Sequence, residues 1–515
     1  MLWDVWKGVY HEYFIQGMCF EKNYQLNILE MLRKKEIFEK CTVISQTLDH
    51  GDRYPEKYYH EIQAGHGYHA SYNAVCDYDA LPAVPRDIWQ KMLPYKSTVM
   101  DMTCRIYNMH LMTYDEMEMI YIKHVRFWNW VLTADNVGFC FFTAVPHTGW
   151  EYTIYALAKV SNIPTLLINE IWIEEMCAVA TDLSNFGSSA AVCFQKHEHI
   201  GLDQNSYIFY KKIMQKHLVT TRKDKKKVII NMNQWQKKLF YKPVLNTVLK
   251  RAKMKKRLKK GNDPYITVRT IWNCNNDIKY ACRHKVLRAE MKGQKYYNRK
   301  LTNVVNLNEK YILFSLQLTP EATTLPQAGV FSNQLLTVQL LAEAAKEKGI
   351  KVYVKEHWIQ NGRTAEFYNE LSMIPNVYFI RSDIDNDLLM KHAYMVSSQT
   401  GTCIVEAFTK CIPCLIFSYN SSAEAPGVYY VGSKNEILHA IDQVKVKRRP
   451  TVKAARKYFE AICKTSVRSS LDWNENRKYT VQECTEDIVG LITDYINKGM
   501  PQQYYYENNN LDIRY

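Results

Sequence analysis

No stretch of this 515-residue chain is apolar enough to cross a membrane, which takes about 18 to 20 consecutive apolar residues. The most apolar run, 139–145, is short and follows Asp135 and Asn136. Asp4 and Lys7 interrupt the first residues, and no apolar segment with a small-residue cleavage site follows, so we expect no cleaved signal peptide. Hydrophobic residues make up 47% and charged residues 23%, which excludes a wholly disordered or collagen-like chain. Without a membrane span or an export signal, the sequence predicts a soluble, cytoplasmic protein.

A repeating cysteine spacing is also lacking. The 14 cysteines are scattered, which is typical of reduced thiols in a cytosolic protein rather than of a disulfide framework. One pair, Cys411 and Cys414, has the C-x-x-C spacing but opens a predicted strand, whereas a thioredoxin-like motif opens a helix. Because no second pair or His-x-His cluster accompanies it, the sequence predicts core cysteines and no metal site.

The positive charge is concentrated in one segment, which we call the basic band, residues 222–260. It contains 16 Lys and Arg residues and one acidic residue, Asp224, and so accounts for the whole formal net charge of +15. Three interpretations stay open. The band is a solvated face or interdomain linker, or it contacts anionic lipid headgroups, because Trp235 and Phe240 are among the apolar residues interspersed with its cations. Nucleic acid is the weakest of the three, because no binding motif accompanies the charge.

Alternating strands and helices in the N-terminal part predict a parallel α/β sheet. Three segments have the composition of buried strands and two have the apolar spacing of helices: 42–45, 137–142 and 165–169, and 115–133 and 151–160. We expect an α/β domain at 1–210, followed by a basic, mainly helical connecting region at 211–307.

The C-terminal part repeats the strand–helix unit more regularly. The predicted strands are 311–316, 350–354, 377–380, 394–397 and 415–417, and the predicted helices are 333–348, 364–372, 387–392 and 403–410. Ser332 is the expected N-cap of the first helix and Gly349 its stop. This pattern predicts a doubly wound domain at 308–450 that binds ligands beyond the carboxyl ends of its strands. C-terminal helices at 451–500 and a flexible tail at 501–515 complete the expected organisation.

Two loops at predicted strand ends carry groups suited to phosphate. In the first, Lys355 supplies a point charge and His357 a ring N–H for a nucleotide phosphate that gains charge as it leaves. The alternative for both is an ordinary basic loop. Neither loop contains the G-x-G-x-x-G fingerprint or the Walker A sequence, which argues against a dehydrogenase and a kinase.

The second loop is rich in hydroxyl groups. Ser398, Thr400 and Thr402 precede the predicted helix 403–410, where backbone N–H groups and the helix dipole favour an anion. Gly401 allows close backbone approach, and Glu406, one turn into the helix, can accept hydrogen bonds from ribose hydroxyls. The alternative is an N-cap with spare hydroxyls. Together the two loops predict a nucleotide-phosphate site.

The sequence resembles the capsule polysaccharide biosynthesis family, glycosyltransferases related to the bacterial Kdo transferases. The matching segments are 318–324, Gln334, 352–357 and 398–407, with 145–152 upstream. The resemblance implies a GT-B-like α/β architecture of two Rossmann-like domains facing a cleft, with the nucleotide-sugar held mainly by the C-terminal domain. It also implies a nucleotide-sugar donor as substrate, most readily a CMP-sugar such as CMP-Kdo, and no further cofactor.

The resemblance also implies roles for individual residues. His357 corresponds to the family's histidine beside the leaving phosphate, Ser398, Thr400 and Thr402 to its hydroxyl cluster, and Glu406 to the ribose ligand. One departure is that Trp358 follows His357 where the family commonly has proline, which changes the expected shape of the loop.

An inverting transfer needs a base on the acceptor side. Glu151 is the leading candidate because it follows the strand-end loop 146–149; the alternative is a first-turn helix glutamate favoured by the dipole. His147 and Glu321 are the other candidates, and they and Gln334 are expected near the cleft.

Three functions therefore compete. The favoured one is a glycosyltransferase of surface polysaccharide biosynthesis with a glycan or lipid-linked acceptor, held at the inner membrane face by the basic band. The others are a nucleotide-sugar epimerase-like enzyme on the same plan and a catalytically silent scaffold of a polysaccharide assembly complex.

Overall fold

The computed structural model describes residues 12–16, 22–45, 56–107, 113–173, 175–196, 201–202, 204–219, 292–293, 295–300, 305–319, 321–357, 363–381, 384–446, 449–469 and 479–498. The basic band, most of the predicted connecting region and the predicted tail lie outside these described residues.

The N-terminal sheet has seven strands in the order β13-β6-β5-β4-β1-β2-β3. Its strands are β1 (Glu12–Gln16), β2 (Lys40–Ser45), β3 (Tyr59–Gln63), β4 (Val137–Phe142), β5 (Thr165–Glu170), β6 (Met176–Ala180) and β13 (Val467–Arg468). β1 to β5 are parallel, β6 is antiparallel to β5, and β13 is antiparallel to β6. The three strands predicted in this region are confirmed. The strands β1, β3, β6 and β13 were not predicted from the sequence.

The C-terminal sheet has six parallel strands in the order β12-β11-β10-β7-β8-β9. They are β7 (Tyr311–Ser315), β8 (Lys351–Lys355), β9 (Val377–Ile380), β10 (Met395–Ser398), β11 (Cys414–Ile416) and β12 (Val428–Tyr430). The five predicted strands are confirmed to within one residue at each end, and β12 is additional. Cys414 opens β11 and is buried, as expected for a core cysteine.

Helices cover both sheets. In the described part of the chain they are α1 (Lys22–Lys34), α2 (Ala64–His69), α3 (Arg86–Met92), α4 (Lys96–Tyr107), α5 (Tyr114–Ala134), α6 (Gly149–Val160), α7 (Ser188–Lys196), α8 (Gln204–Val219), α9 (Gln334–Glu347), α10 (Ala365–Met373), α11 (Asn386–His392), α12 (Cys403–Thr409), α13 (Lys434–Val446), α14 (Val452–Lys464) and α15 (Val481–Lys498). Residues 292–293 and 295–300 are helical as well. None of these helices has the length and hydropathy needed to cross a bilayer.

Strand β4 shows why the sequence predicts a parallel sheet. Cys140 and Phe142 belong to the apolar cluster on one face of the sheet, and Phe139 and Phe141 to the cluster on the other face. A strand buried on both faces reads as a continuous apolar run rather than an alternating one. The fold class is therefore α/β, with two doubly wound, Rossmann-like sheets.

The expected N-cap of α9 is corrected by the structure. Residues 329–332 form a 3-10 turn, so Ser332 lies inside that turn instead of capping the helix. Asn333 is the N-cap, and its side-chain oxygen accepts hydrogen bonds from the backbone N–H groups of Leu335 and Leu336 at 3.1 and 3.3 Å. The helix ends as predicted, with Gly349 directly beyond it at φ +65°.

After the second sheet the chain returns to the first. α14 packs against α7 and α12, β13 extends the N-terminal sheet, and α15 packs against α1. Arg468 of β13 holds α15 by donating from Nε and Nη2 to the two carboxylate oxygens of Asp487 at 2.8 and 2.7 Å. The region predicted as C-terminal helices, 451–500, thus also contributes a strand to the other sheet.

Candidate active site

The strand order reverses once in each sheet, between β1 and β4 in the first and between β7 and β10 in the second. Ligands of doubly wound sheets bind beyond the carboxyl ends of the strands at such a reversal. The described segments that follow these strands are 143–148 after β4, 316–319 after β7 and 399–402 after β10. The candidate residues His147, Thr400 and Thr402 lie in these segments.

The carboxyl ends of the two sheets approach each other. Ala322, which follows β7, belongs to the same buried apolar cluster as Val145 and Trp150, which flank His147 in the first domain. A second close approach joins Gly187 to the loop after β11, where a Cβ on Gly187 would lie 2.5 Å from the carbonyl oxygen of Asn420. The two Rossmann-like domains therefore face each other in a GT-B-like arrangement, as predicted.

Two glutamines brace the loop that follows β7. Gln334, on α9, accepts the Gln317 backbone N–H at 2.9 Å and donates to the Thr319 hydroxyl at 3.0 Å. Gln317 in turn donates from its side chain to the Thr400 hydroxyl at 2.7 Å. Gln334, an expected cleft residue, is buried, and it shapes the loop at the point of strand reversal.

The hydroxyl cluster after β10 is tied into the fold to different degrees. Ser398 is buried and donates to the Ser315 carbonyl at 3.2 Å. Thr400 is half-buried and donates to the Thr323 carbonyl at 3.0 Å, whereas Thr402 is exposed. Gly401 is required for space, because a Cβ there would lie 2.8 Å from the Ser398 hydroxyl oxygen.

Glu406 lies one turn into α12, half-buried. Burial, with a contribution from the Glu406 carboxylate, raises the pKa of the Cys403 thiol to about 11, so this thiol stays protonated.

Among the described residues, no group of three His, Cys, Asp or Glu side chains is placed to hold a metal ion.

Lys355 ends β8 and is buried. Its ammonium donates to the Ile384 carbonyl and to the Asn386 side-chain oxygen, both at 2.6 Å. These contacts join β8 to the start of α11. These two hydrogen bonds of the ammonium hold the fold, and its contact with a nucleotide phosphate stays a prediction.

An ion pair lies beneath His357. The Arg363 Nε and Glu356 Oε2 atoms are 2.9 Å apart, and both side chains are buried. Glu356 also accepts from the Tyr368 hydroxyl at 2.6 Å and from the His357 backbone N–H at 2.7 Å. Arg363 donates to the Gln317 carbonyl, so the pair connects the loops after β7 and β8. The backbone of His357 is therefore fixed by buried charges.

The His357 imidazole is half-buried at the carboxyl end of β8. Burial and the nearby Arg363 guanidinium lower its pKa, while the Glu321 carboxylate opposes this shift. His357 is therefore neutral at pH 7 and offers a ring N–H without a net charge. Glu321, another expected cleft residue, is held in turn by a hydrogen bond from the Thr323 hydroxyl.

Glu151 and His147 are neighbours with different exposure. Glu151 is fully buried, and its Oε2 accepts the backbone N–H groups of His147 and Thr148 at 2.7 and 2.9 Å. This is the helix-capping alternative for Glu151, and its burial argues against direct contact with an acceptor. His147 is exposed.

Sequence reasoning missed Gln317, Arg363 and Asn420, which hold these loops together. Asn420 donates to the Thr400 carbonyl at 3.4 Å from the loop after β11. The only local signal was the position of Gln317 and Asn420 shortly after predicted strands, where polar side chains gather in such folds. No local signal pointed to Arg363, because its partners lie in three separate segments of the chain. These partners are Glu356, Gln317 and Gln334.

Comparison with known proteins finds similarity in solved structures alone: no family model and no curated protein sequence matches the chain. The UDP-GlcNAc 2-epimerase of Methanocaldococcus jannaschii is 12% identical over 87% of this chain and 97% of that one, with a TM-score of 0.24. KpsC of Thermosulfurimonas dismutans, a beta Kdo 2,4 transferase, is 9% identical over 63% and 79%, with a TM-score of 0.28.

The UDP-GlcNAc 2-epimerase of Neisseria meningitidis, bound to UDP-GlcNAc, is 11% identical over 94% of this chain and all of that one, at a TM-score of 0.24. The architecture is established by the order and direction of the strands in the two sheets.

Proposed function

We propose that the protein is a nucleotide-sugar-dependent glycosyltransferase of the GT-B type, which transfers a sugar to a glycan or lipid-linked acceptor in surface polysaccharide biosynthesis. The observation that supports the proposal is the buried apolar cluster shared by Val145 and Ala322, which follow the strands at the two strand-order reversals. In the proposal, His357 and the Thr400 loop line the donor side of the site and His147 lines the acceptor side. In such a site one domain can bind the donor and the other domain can bind the acceptor.

In this proposal the C-terminal sheet holds the nucleotide. The loop from Ser398 to Thr402 faces the phosphate with hydroxyl and backbone N–H groups, and Glu406 accepts hydrogen bonds from the ribose. His357, neutral at pH 7, donates its ring N–H to the phosphate oxygen that gains charge as the sugar–oxygen bond breaks. The donor is a CMP-sugar such as CMP-Kdo, following the family resemblance.

The basic band belongs to the proposal as a membrane contact. Its 16 cations and interspersed apolar residues match a segment that binds anionic headgroups from the cytoplasmic side. This contact brings the site to a lipid-linked acceptor.

Thermal unfolding with CMP, UDP, GDP or ADP tests nucleotide binding, because a ligand that binds the folded state raises apparent stability. We expect a selective shift, lost in His357→Ala and kept in the matched control His392→Ala, whose histidine is exposed on α11. His357→Ala keeps the backbone N–H that donates to Glu356, so the fold should survive. Absence of a shift with every nucleotide would contradict the proposal and favour a scaffold.

A further inference from the structure

His147 interrupts a long buried stretch. From 137 to 158, all of which the structure describes, every other residue is buried, and His147 is exposed. The stretch comprises β4, the loop 143–148 and most of α6. The exposed imidazole therefore follows the carboxyl end of β4, where the strand order of the first sheet reverses, in a loop whose Val145 belongs to the same buried cluster as Ala322 of the second domain.

A hydrogen bond within the loop fixes the tautomer of this imidazole. His147 Nδ1 is 2.5 Å from the Val145 carbonyl oxygen. A carbonyl oxygen carries no proton, so Nδ1–H is the donor and the neutral ring has its basic lone pair on Nε2. The loop thus orients the ring with Nε2 as the nitrogen that takes up a proton.

Glu151 supports the loop from beneath. One carboxylate oxygen accepts the backbone N–H groups of both His147 and Thr148, and the side chain is fully buried. Burial raises the pKa of Glu151, and the nearby His147 and these N–H groups oppose the rise. The His147 imidazole is therefore coupled to the Glu151 carboxyl group electrostatically as well as through the loop backbone.

We propose that His147 Nε2 is the catalytic base on the acceptor side and that Glu151 is a positioning residue that holds it. This assignment rests on the proposed function. The acceptor hydroxyl gives its proton to Nε2 as its oxygen forms a bond to the anomeric carbon. The bond from that carbon to the phosphate oxygen breaks, its electron pair stays on the phosphate, and the nucleotide leaves.

The test measures release of free nucleotide from the sugar-nucleotide whose base the wild-type protein binds, with water or a glycan as acceptor. We expect release to fall at least about 100-fold in His147→Ala, the lower range for general base catalysis. Nucleotide binding, read by thermal shift, stays unchanged because that site lies on the other domain, and added imidazole restores part of the release. His439→Ala, at an exposed histidine of α13, is the matched control with wild-type release.

The variant Glu151→Gln distinguishes a glutamate that positions the base from one that only caps the helix. Glutamine keeps an oxygen that accepts the two N–H groups and removes the charge. We expect kcat to fall about tenfold, equivalent to about 1.4 kcal/mol, with the donor KM and the unfolding midpoint unchanged. A cap with no role in the reaction predicts an unchanged kcat.

The assignment of the base is overturned if His147→Ala releases nucleotide at the wild-type rate, or if imidazole does not restore the lost release. Either result leaves the proposed function standing. Failure of the wild-type protein to release any nucleotide overturns the proposed function, and the base with it.

Discussion

Arg363 and Glu356 form an ion pair almost closed to solvent, with Nε and Oε2 2.9 Å apart and side chains 6% and 4% exposed. The pair fixes the backbone of His357 on one side and the Gln317 carbonyl on the other. Burial raises the pKa of Glu356, and the Arg363 guanidinium opposes the rise. Two loops of the candidate site thus depend on one desolvated contact.

Removing one partner of this pair should cost more than removing both. Arg363→Met leaves a buried carboxylate without its cation, so we expect the free energy of unfolding to fall by about 3 to 5 kcal/mol. The double variant Arg363→Met with Glu356→Leu leaves no lone charge and should recover part of that loss. Urea unfolding measures both.

The matched control is Arg456→Met, because Arg456 pairs with Glu460 at the same 2.9 Å but is 48% exposed. We expect it to cost less than about 1 kcal/mol. Equal costs for Arg363→Met and Arg456→Met would show that burial of the pair does not matter.

The buried His124 predicts a pH dependence of stability. Burial lowers its pKa to about 3, and Nδ1 is 2.6 Å from the Tyr72 hydroxyl oxygen. The unfolded chain takes up a proton at this residue below about pH 6.5, whereas the folded protein takes it up only at much lower pH. Stability therefore falls as the pH drops from about 6.5, by up to about 1.4 kcal/mol per unit.

His124→Gln should flatten this dependence, and urea unfolding at several pH values between about 7 and 4 measures it. His439→Gln, at an exposed histidine, should keep the wild-type slope. The same slope in all three proteins would refute a proton linkage at His124.

Gly187 sets the contact between the two domains. It has φ +101°, and a Cβ there would lie 2.5 Å from both the Asn420 carbonyl oxygen and the Ser421 Cα. We expect Gly187→Ala to destabilise by about 1 to 3 kcal/mol, because backbone atoms must move apart. Thermal unfolding with and without the bound nucleotide measures the effect.

Gly490→Ala is the control, since nothing lies within 4 Å of a Cβ at this position inside α15. It should stabilise by about 0.5 to 1 kcal/mol. Stabilisation by Gly187→Ala as well would contradict the described contact.

The basic band gives a prediction from sequence alone. Changing several lysines between 225 and 260 to glutamine should weaken binding to vesicles that contain phosphatidylserine, because each cation near such a surface contributes about 1 kcal/mol. Co-sedimentation with neutral phosphatidylcholine vesicles is the control. Unchanged binding to the anionic vesicles would instead favour the interpretation of the basic band as a solvated linker.

The sequence predicted most of the C-terminal sheet because its strands are short apolar runs such as β7, buried on both faces. It did not reveal β1 or β3, whose sequences EYFIQ and YHEIQ mix apolar and charged residues. The central place of β1 follows from pairing of Glu12 with Lys40 on one side and Val137 on the other, contacts that no local pattern encodes.

The candidate site divides in the same way. The sequence located the strand-end loops with Ser398 and His357, because polar groups after buried strands are a local signal. The partners of Lys355, Ile384 and Asn386, lie at the start of α11, and Arg363, which follows β8, contacts Gln317 after the neighbouring strand β7. Such long-range contacts depend on the assembled fold, so the sequence could not reveal them.

Incubation of the protein with CMP-Kdo and with UDP-GlcNAc, followed by nuclear magnetic resonance, distinguishes glycosyl transfer from epimerisation. A glycosyltransferase breaks the bond between sugar and phosphate, so we expect free nucleotide, slowly with water and faster with a glycan acceptor. His357→Ala should abolish this release. Conversion of the donor to an isomer that keeps its nucleotide would contradict glycosyl transfer and establish an epimerase. An unchanged donor with both compounds and every acceptor would contradict glycosyl transfer as well.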